Sequence, residues 1–125
     1  MNDHGLDLLH RPDLPALIAR WQREVTTAEL RRGYEAIRAI ADATNCAHWL
    51  LDLRRRQDLT EPALNAWFGH EFIPSLRGRY AEGVRMAFLI SPLRASHAVT
   101  AQPSDAACAF ATFTDEAAAH LWLRT

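Results

Sequence analysis

Two short segments of the chain are almost continuously apolar, and they constrain the fold more than any other feature. They are Cys46–Leu53 (CAHWLLDL) and Val84–Ser91 (VRMAFLIS). A short apolar run of this kind is typical of a β-strand that is buried on both faces of a sheet. We therefore expect a sheet in which Cys46–Leu53 is the central strand. Val84–Ser91 is a second buried strand, which Pro92 ends.

The N-terminal region predicts a hairpin of two strands, Leu6–His10 and Ala16–Trp21, around a turn at Arg11-Pro12-Asp13. Proline fixes φ in such a turn, and aspartate hydrogen-bonds to the nearby backbone. The second strand alternates as a half-buried strand does, because successive side chains point to opposite faces. One face carries Leu17, Ala19 and Trp21, and the other carries Arg20 and Gln22.

A long helix is predicted to follow Thr26. The sequence Thr26-Thr27-Ala28-Glu29 has the pattern of a capping box, in which Thr26 and Glu29 bond reciprocally to each other's backbone. About five turns follow, and Asn45 ends them. The apolar stripe of this helix is formed by Leu30, Tyr34, Ile37 and Ala41, supported by Gly33, Ile40 and Thr44.

Two further helix starts are visible. Thr60-Glu61-Pro62 combines a capping hydroxyl, an acid and a first-turn proline, and the helix is predicted to continue until Pro74 interrupts it. A loop at 93–105 and a last strand at Ala107–Phe113 follow. Thr114-Asp115-Glu116 then caps a final helix that ends at Leu123. We expect this last helix to face inward through Ala118, Leu121 and Trp122.

Composition excludes several classes of protein. The 125 residues, 49% of them hydrophobic, predict a single domain spanning 1–125. All 14 basic residues are arginine, and 15 acidic residues bring the net charge to -1, which argues against a general nucleic-acid binder. Without lysine, neither Schiff-base chemistry nor a Walker A motif is available. The six histidines are scattered singly, so we expect no metal and no cofactor.

The location is predicted to be cytoplasmic. Cys46 and Cys108 lie in apolar surroundings and do not form a CxxC pair, so they are interpreted as buried thiols in a reducing compartment. The first residues lack the basic start and apolar core of a signal peptide, and no apolar run approaches the roughly 20 residues that span a bilayer.

The predicted order of elements is ββαβαββα, which gives an α/β fold bordering on α+β. Its mixed sheet has four to five strands, with helices mainly on one face. This order, with the segments WLLDLRRR, AWFGHEFIP, VRMAFLISP and FATFTDEAAAHLWL, resembles the STAS domain and, more closely, the SpoIIAA-like family of small bacterial proteins. The resemblance covers Leu6 to Leu123 and implies the STAS-like fold. The first hypothesis for function is a non-enzymatic STAS-like regulatory or binding module.

The resemblance also draws attention to Thr60. In signalling STAS domains the corresponding helix begins with a phosphorylatable serine in a motif of the type Asp-Ser-Ser-Gly. Here the segment Asp58-Leu59-Thr60-Glu61-Pro62 has no Ser-Ser-Gly, and Thr60 is the hydroxyl nearest to that place. Thr60 is therefore the candidate phosphoacceptor, and its position as a helix cap explains it equally well without a kinase.

The strongest candidate for a binding site is the run Arg54-Arg55-Arg56, which directly follows the central strand. Open α/β sheets bind ligands at the carboxyl edge of their strands, and a guanidinium holds phosphate or carboxylate through two parallel hydrogen bonds. With Thr60 and Trp67 on the following helix, these arginines are predicted to bind a small anion or a protein partner. The alternative is a solvated loop in which they pair with Asp52, Asp58 or Glu61.

A second hypothesis assigns the same arginines to another class of protein, a small enzyme or a carrier of lipids or metabolites. In that case Arg54–Arg56 guard the mouth of an apolar pocket. His70, Ser91 and Arg94 are candidates for the pocket rim, provided that the two buried strands are parallel. We also expect a homodimer, because an edge strand such as Leu6–His10 needs cover.

Overall fold

The computed structural model describes residues 2–3, 5–55, 66–80, 83–92 and 108–124. They form one mixed sheet of six strands, ordered in space as in the sequence. The strands are β1 (Asn2–Asp3), β2 (Leu6–Arg11), β3 (Ala16–Trp21), β4 (His48–Asp52), β5 (Val84–Leu89) and β6 (Cys108–Phe113). The helices are α1 (Thr27–Thr44), a π-helical turn (Phe68–Phe72) that leads into α2 (Ile73–Ser75), and α3 (Glu116–Leu123).

The predicted α/β class and mixed sheet are confirmed. β1, β2 and β3 pair antiparallel, whereas β3, β4, β5 and β6 pair parallel. β4 lies between β3 and β5, as expected of a central strand, and its residues from Trp49 to Asp52 are all buried. The carboxyl ends of β3, β4, β5 and β6 therefore meet at one edge of the sheet.

The sheet is covered on both faces. α1 packs on one face through Leu30, Gly33, Tyr34, Ile37 and Ala41, which is the predicted stripe. The helix begins with the predicted capping box between Thr26 and Glu29, and Asn45 ends it in the left-handed conformation. The π-helical turn and α2 pack on the same face, and α3 covers the other face. We call these the α1 face and the α3 face.

Two expectations about which side chains are buried are wrong, although the side chains of β3 do divide between the two faces as predicted. Strand β3 is not half-buried, because Ile18 lies in the core of the α3 face while Leu17 and Trp21 lie in the core of the α1 face. Helix α3 buries Ala119 and Leu123 instead of Ala118 and Leu121, and Leu121 is 59% exposed. The third predicted residue, Trp122, does pack against the core of the α3 face. Ala119 and Leu123 are four residues apart, so they lie one above the other on a single side of the helix.

Contrary to the prediction, Pro74 does not interrupt the helix and lies within α2. The chain is wound as a π turn just before it, and the Ile73 N–H donates to the carbonyl of Phe68, five residues earlier. The helix ends after Ser75, and the Leu76 N–H closes a turn onto Ile73 and Pro74. A proline removes one donor and crowds the preceding turn, and a π turn is one of the known ways in which a helix bends around such a defect. The predicted start of this helix, Thr60–Pro62, lies outside the described residues.

Candidate functional site

Strand β4 ends in a buried carboxylate. Asp52 is 6% exposed, and both of its oxygens accept hydrogen bonds from Arg54. The Arg54 backbone N–H (3.1 Å) and Nε (3.0 Å) donate to Asp52 Oδ1, and Arg54 Nη2 donates to Oδ2 at 2.9 Å. A bond from Asp to the backbone two residues on is an Asx-turn, which leads the chain out of the strand. The same aspartate therefore ends β4 and fixes the guanidinium of Arg54.

Arg20 joins this pair from the neighbouring strand. Arg20 and Asp52 are register partners in β3 and β4, and Arg20 Nη1 donates to Asp52 Oδ2 at 2.8 Å. Arg20 also holds Glu116 with two parallel bonds, Nη1 to Oε1 at 2.7 Å and Nη2 to Oε2 at 3.0 Å. Glu116 is the first residue of α3, where the Asp115 side chain caps the helix. Two arginines and two carboxylates thus join β3, β4 and α3.

The network has two longer contacts as well. Arg54 Nη2 lies 3.5 Å from Glu116 Oε1, and His120 Nε2 lies 3.5 Å from Glu116 Oε2. The hydrogen bonds from Arg20 lower the pKa of Glu116. Burial tends to raise the pKa of Asp52, but the hydrogen bonds from Arg54 and Arg20 outweigh it, and the pKa lies below its usual value. Both carboxylates are therefore charged at neutral pH.

A polar cleft of about 520 Å³ opens beside this network, between the ends of β3 and β4. Its lining consists of Arg20, Trp21, Gln22, Asp52, Arg54 and Arg55. Arg55 is exposed, and its Nη1 donates to Gln22 Oε1 across the cleft. Within the described part of the chain, three guanidiniums face the two carboxylates of Asp52 and Glu116, which leaves an excess of positive charge.

The predicted site residues are only partly brought together. Arg54 and Arg55 line the cleft. Ser91 follows β5, which is parallel to β4 as the prediction required, so it lies at the same edge of the sheet without lining the cleft. Arg56, Thr60 and Arg94 lie outside the described residues.

Trp67 and His70 lie elsewhere, in the helical segment on the α1 face. The Trp67 ring packs 5.4 Å from Phe72 and 6.3 Å from Tyr34, and the Arg31 guanidinium lies 5.0 Å above it. His70 is exposed in the π-helical turn. Neither residue lines the cleft, because their segment covers the face opposite to Arg20 and Asp52.

Sequence reasoning missed Arg20 and Glu116 as partners, whereas the pairing of Arg54 with Asp52 is the one that the alternative of a solvated loop named. One signal was local: an aspartate followed two residues later by arginine, at the end of an apolar strand, is compatible with an Asx-turn. The other partnership has no local signal, because Arg20 and Glu116 are 96 residues apart in the chain.

A second pocket lies at the opposite edge of the sheet. His10, Cys46, His48 and Tyr80 border it. Its polar groups bond within the protein: the Tyr80 hydroxyl donates to Asp42 Oδ1 at 2.8 Å, and Cys46 Sγ donates to the His48 carbonyl at 3.6 Å. Burial, and then the bond to Asp42, raise the pKa of Tyr80.

In the described part of the chain, no three side chains of His, Cys, Asp or Glu gather closely enough to hold a metal ion. None of the described helices is long and apolar enough to cross a bilayer.

No protein-family model, no curated protein and no solved structure matches the chain. The geometry of the cleft is therefore the basis for assigning a function.

Proposed function

We propose that this protein is a non-enzymatic binding module that holds a small anion, a phosphate or a carboxylate group, in the cleft between β3 and β4. One observation carries the proposal: Arg54 is fixed by a buried aspartate at the rim of a polar cleft that holds more positive than negative charge. The anion is free in solution or belongs to a protein partner, as the STAS-like resemblance implies for a regulatory module.

The fixed position of Arg54 favours binding. A long side chain normally loses conformational entropy when it grips a ligand, and a side chain that is already ordered loses less. Three bonds to Asp52 order Arg54, and its Nη1 makes no bond to a described residue. A guanidinium nitrogen of this kind can donate a charge-assisted hydrogen bond to an anion.

Arg55 supplies the second guanidinium that is available to an anion. It is exposed and lines the cleft, Gln22 accepts one of its N–H groups, and the rest of its guanidinium makes no bond to a described residue. The cleft volume of about 520 Å³ falls in the range of small-molecule sites. The location also agrees with the general rule that open α/β sheets bind ligands at the carboxyl edge of their strands.

The lining of the cleft favours binding over the alternative of an apolar pocket guarded by arginines. Five of its six residues are polar or charged, and Trp21 is the exception. Its one carboxylate, Asp52, is held by two arginines and has a lowered pKa, so it is poorly suited to accept a proton at neutral pH.

We also propose that the protein is bacterial and cytoplasmic and that it forms homodimers. The two buried thiols, Cys46 and Cys108, are consistent with a reducing compartment. We place the dimer contact at β2, because β1 pairs with Leu6 and Asp7 alone among the described residues. Further along β2, Leu9 is 50% exposed.

The proposal is tested by titrating the protein with inorganic phosphate in a calorimeter, at constant ionic strength set with chloride. We expect saturable binding that Arg55→Ala weakens about tenfold, the effect of losing one charge-assisted hydrogen bond of about 1.4 kcal/mol. Arg55 is exposed, so its removal should leave the free energy of unfolding within about 0.5 kcal/mol of the wild type.

Arg32→Ala is the matched control. It removes the same charge from the exposed side of α1 and should leave the phosphate Kd unchanged. Absence of saturable heat in the wild type would count against the proposal, and so would equal losses of affinity in Arg55→Ala and Arg32→Ala.

A further inference from the structure

The two carboxylates of the arginine network are held very differently. The Asp52 side chain is 9% exposed, and its bonds come from the backbone and side chain of Arg54 and from Arg20 on the adjacent strand. The Glu116 side chain is 34% exposed, and among the described residues its two short hydrogen bonds, of 2.7 and 3.0 Å, both come from Arg20, with Arg54 and His120 each 3.5 Å away. Asp52 is thus part of the sheet edge, whereas Glu116 is attached to it from a helix terminus.

Glu116 occupies arginine groups that also line the cleft. Its carboxylate takes the two Nη atoms of Arg20 and lies 3.5 Å from Nη2 of Arg54. Both of these arginines border the cleft. An anion that entered the cleft would therefore find the best bidentate donor, the Arg20 fork, already in use by a carboxylate of the chain itself.

We infer that Glu116 is an internal ligand of Arg20, and that an anion entering the cleft displaces it. This inference rests on the proposed function of the cleft. In the exchange, Arg20 Nη1 and Nη2 transfer their two hydrogen bonds from the Glu116 oxygens to two oxygens of the incoming carboxylate or phosphate. Arg20 keeps its bond to Asp52, so the donor stays in position. The released Glu116 side chain keeps His120, 3.5 Å away, as its neighbour.

Displacement links the cleft to helix α3. Glu116 is the first residue of that helix, and its bonds to Arg20 tie the helix start to the sheet edge. Occupancy of the cleft therefore loosens the N-terminal turn of α3, while Ala119 and Leu123 keep the rest of the helix packed on the sheet. The Glu116 carboxylate also competes with the ligand for Arg20, so a ligand must bind Arg20 better than Glu116 does.

The test compares phosphate binding to the wild type, Glu116→Gln and Asp115→Asn. Exposed ion pairs contribute up to about 1 kcal/mol, so Glu116→Gln should tighten the phosphate Kd about fivefold. Asp115→Asn removes a neighbouring negative charge without touching the arginines, and asparagine is an equally good helix cap. Its Kd should stay within about twofold of the wild type.

A second measurement follows amide hydrogen exchange in the wild-type protein. Saturating phosphate should speed exchange at the start of α3 and leave exchange in β4 and β5 unchanged.

The outcomes separate the two proposals. If the wild type binds phosphate and Glu116→Gln binds no more tightly, the internal-ligand inference is wrong and the proposed function stands. An equal gain in Asp115→Asn would reduce the effect to general electrostatics and overturn the inference as well. If neither the wild type nor Glu116→Gln binds phosphate, the proposed function itself fails. Binding that appears only in Glu116→Gln would mean that phosphate does not displace Glu116, which overturns the displacement and counts against the proposed function of the wild-type cleft.

Discussion

The two faces of the sheet are held together by different physics. The α1 face carries a large continuous core rich in buried aromatic rings, among them Trp21, Tyr34, Trp49 and Phe72. The α3 face has a small core of aliphatic residues, and no aromatic ring is fully buried in it among the described residues. One end of the α3 face is closed by the arginine network instead of by apolar packing.

Because of this difference, the contacts that stabilise the fold and the contacts that a ligand could exchange lie on different faces of the sheet. Apolar burial is non-directional and hard to exchange, since every displaced side chain exposes its surface to water. A half-exposed ion pair contributes little net stability, and its partners can be replaced by other charged groups. The α1 face therefore contributes most of the apolar core, and the proposed anion would exchange contacts on the α3 face, where they can change without unfolding the chain.

The largest expected effect is on the α1 face. Phe72→Ala should lower the free energy of unfolding by about 4 kcal/mol, because it removes a buried ring that packs against Tyr34 and Trp49. Leu123→Ala, at the centre of the small core, should lower it by about 2 kcal/mol. Urea unfolding followed by circular dichroism measures both. Equal losses in the two variants would show that the faces do not differ in this way.

The next effect concerns the network itself. Asp52→Asn should lower the free energy of unfolding by about 2 kcal/mol at pH 7, because it leaves Arg20 and Arg54 without their buried partner. The pKa of Asp52 is lowered in the folded state, so its contribution is present above the unfolded pKa of about 4 and is lost as the pH falls below it.

Urea unfolding at a series of pH values from 7 to 3 checks the direction of this pH dependence. The difference in stability between the wild type and Asp52→Asn should shrink as the pH falls. Glu29 also has a lowered pKa, but it lies outside the network and both proteins retain it, so its contribution cancels in the difference. Glu116 shares Arg20 with Asp52, so its contribution belongs to the network that the substitution disturbs. A difference that is constant across the whole range would mean that the charge of Asp52 has no role.

The sequence predicted those features that depend on neighbouring residues. The capping box at Thr26 and the stripe of α1 are local patterns, and they hold in the structure. The central position of β4 followed from its apolar run, and the location of Arg54 followed from the rule about strand ends. These inferences need no knowledge of which strand pairs with which.

What the sequence did not predict depends on register and on tertiary packing. Arg20 meets Asp52 because β3 and β4 pair in one particular register, and Glu116 reaches Arg20 only after α3 has folded back over the sheet. The inward side of α3 was predicted wrongly for a related reason. In the segment EAAAHLWL apolar residues surround the helix almost completely, so the periodicity does not select one side.

The smallest expected effect is on Leu121, and it tests which side of α3 faces the sheet. Leu121 and Leu123 are two residues apart in α3, yet Leu121 is 59% exposed and Leu123 is buried. Leu121→Ala should change the free energy of unfolding by less than about 0.5 kcal/mol, because an exposed side chain loses little burial on truncation. Leu123→Ala is the matched comparison, since it is the same substitution on the same helix.

If Leu121→Ala costs as much as Leu123→Ala in urea unfolding, Leu121 is buried in solution, and a second copy of the chain is the first candidate to cover it. Sedimentation of the wild type and of Leu121→Ala would then differ in mass, whereas equal monomer masses would place the cover within the chain.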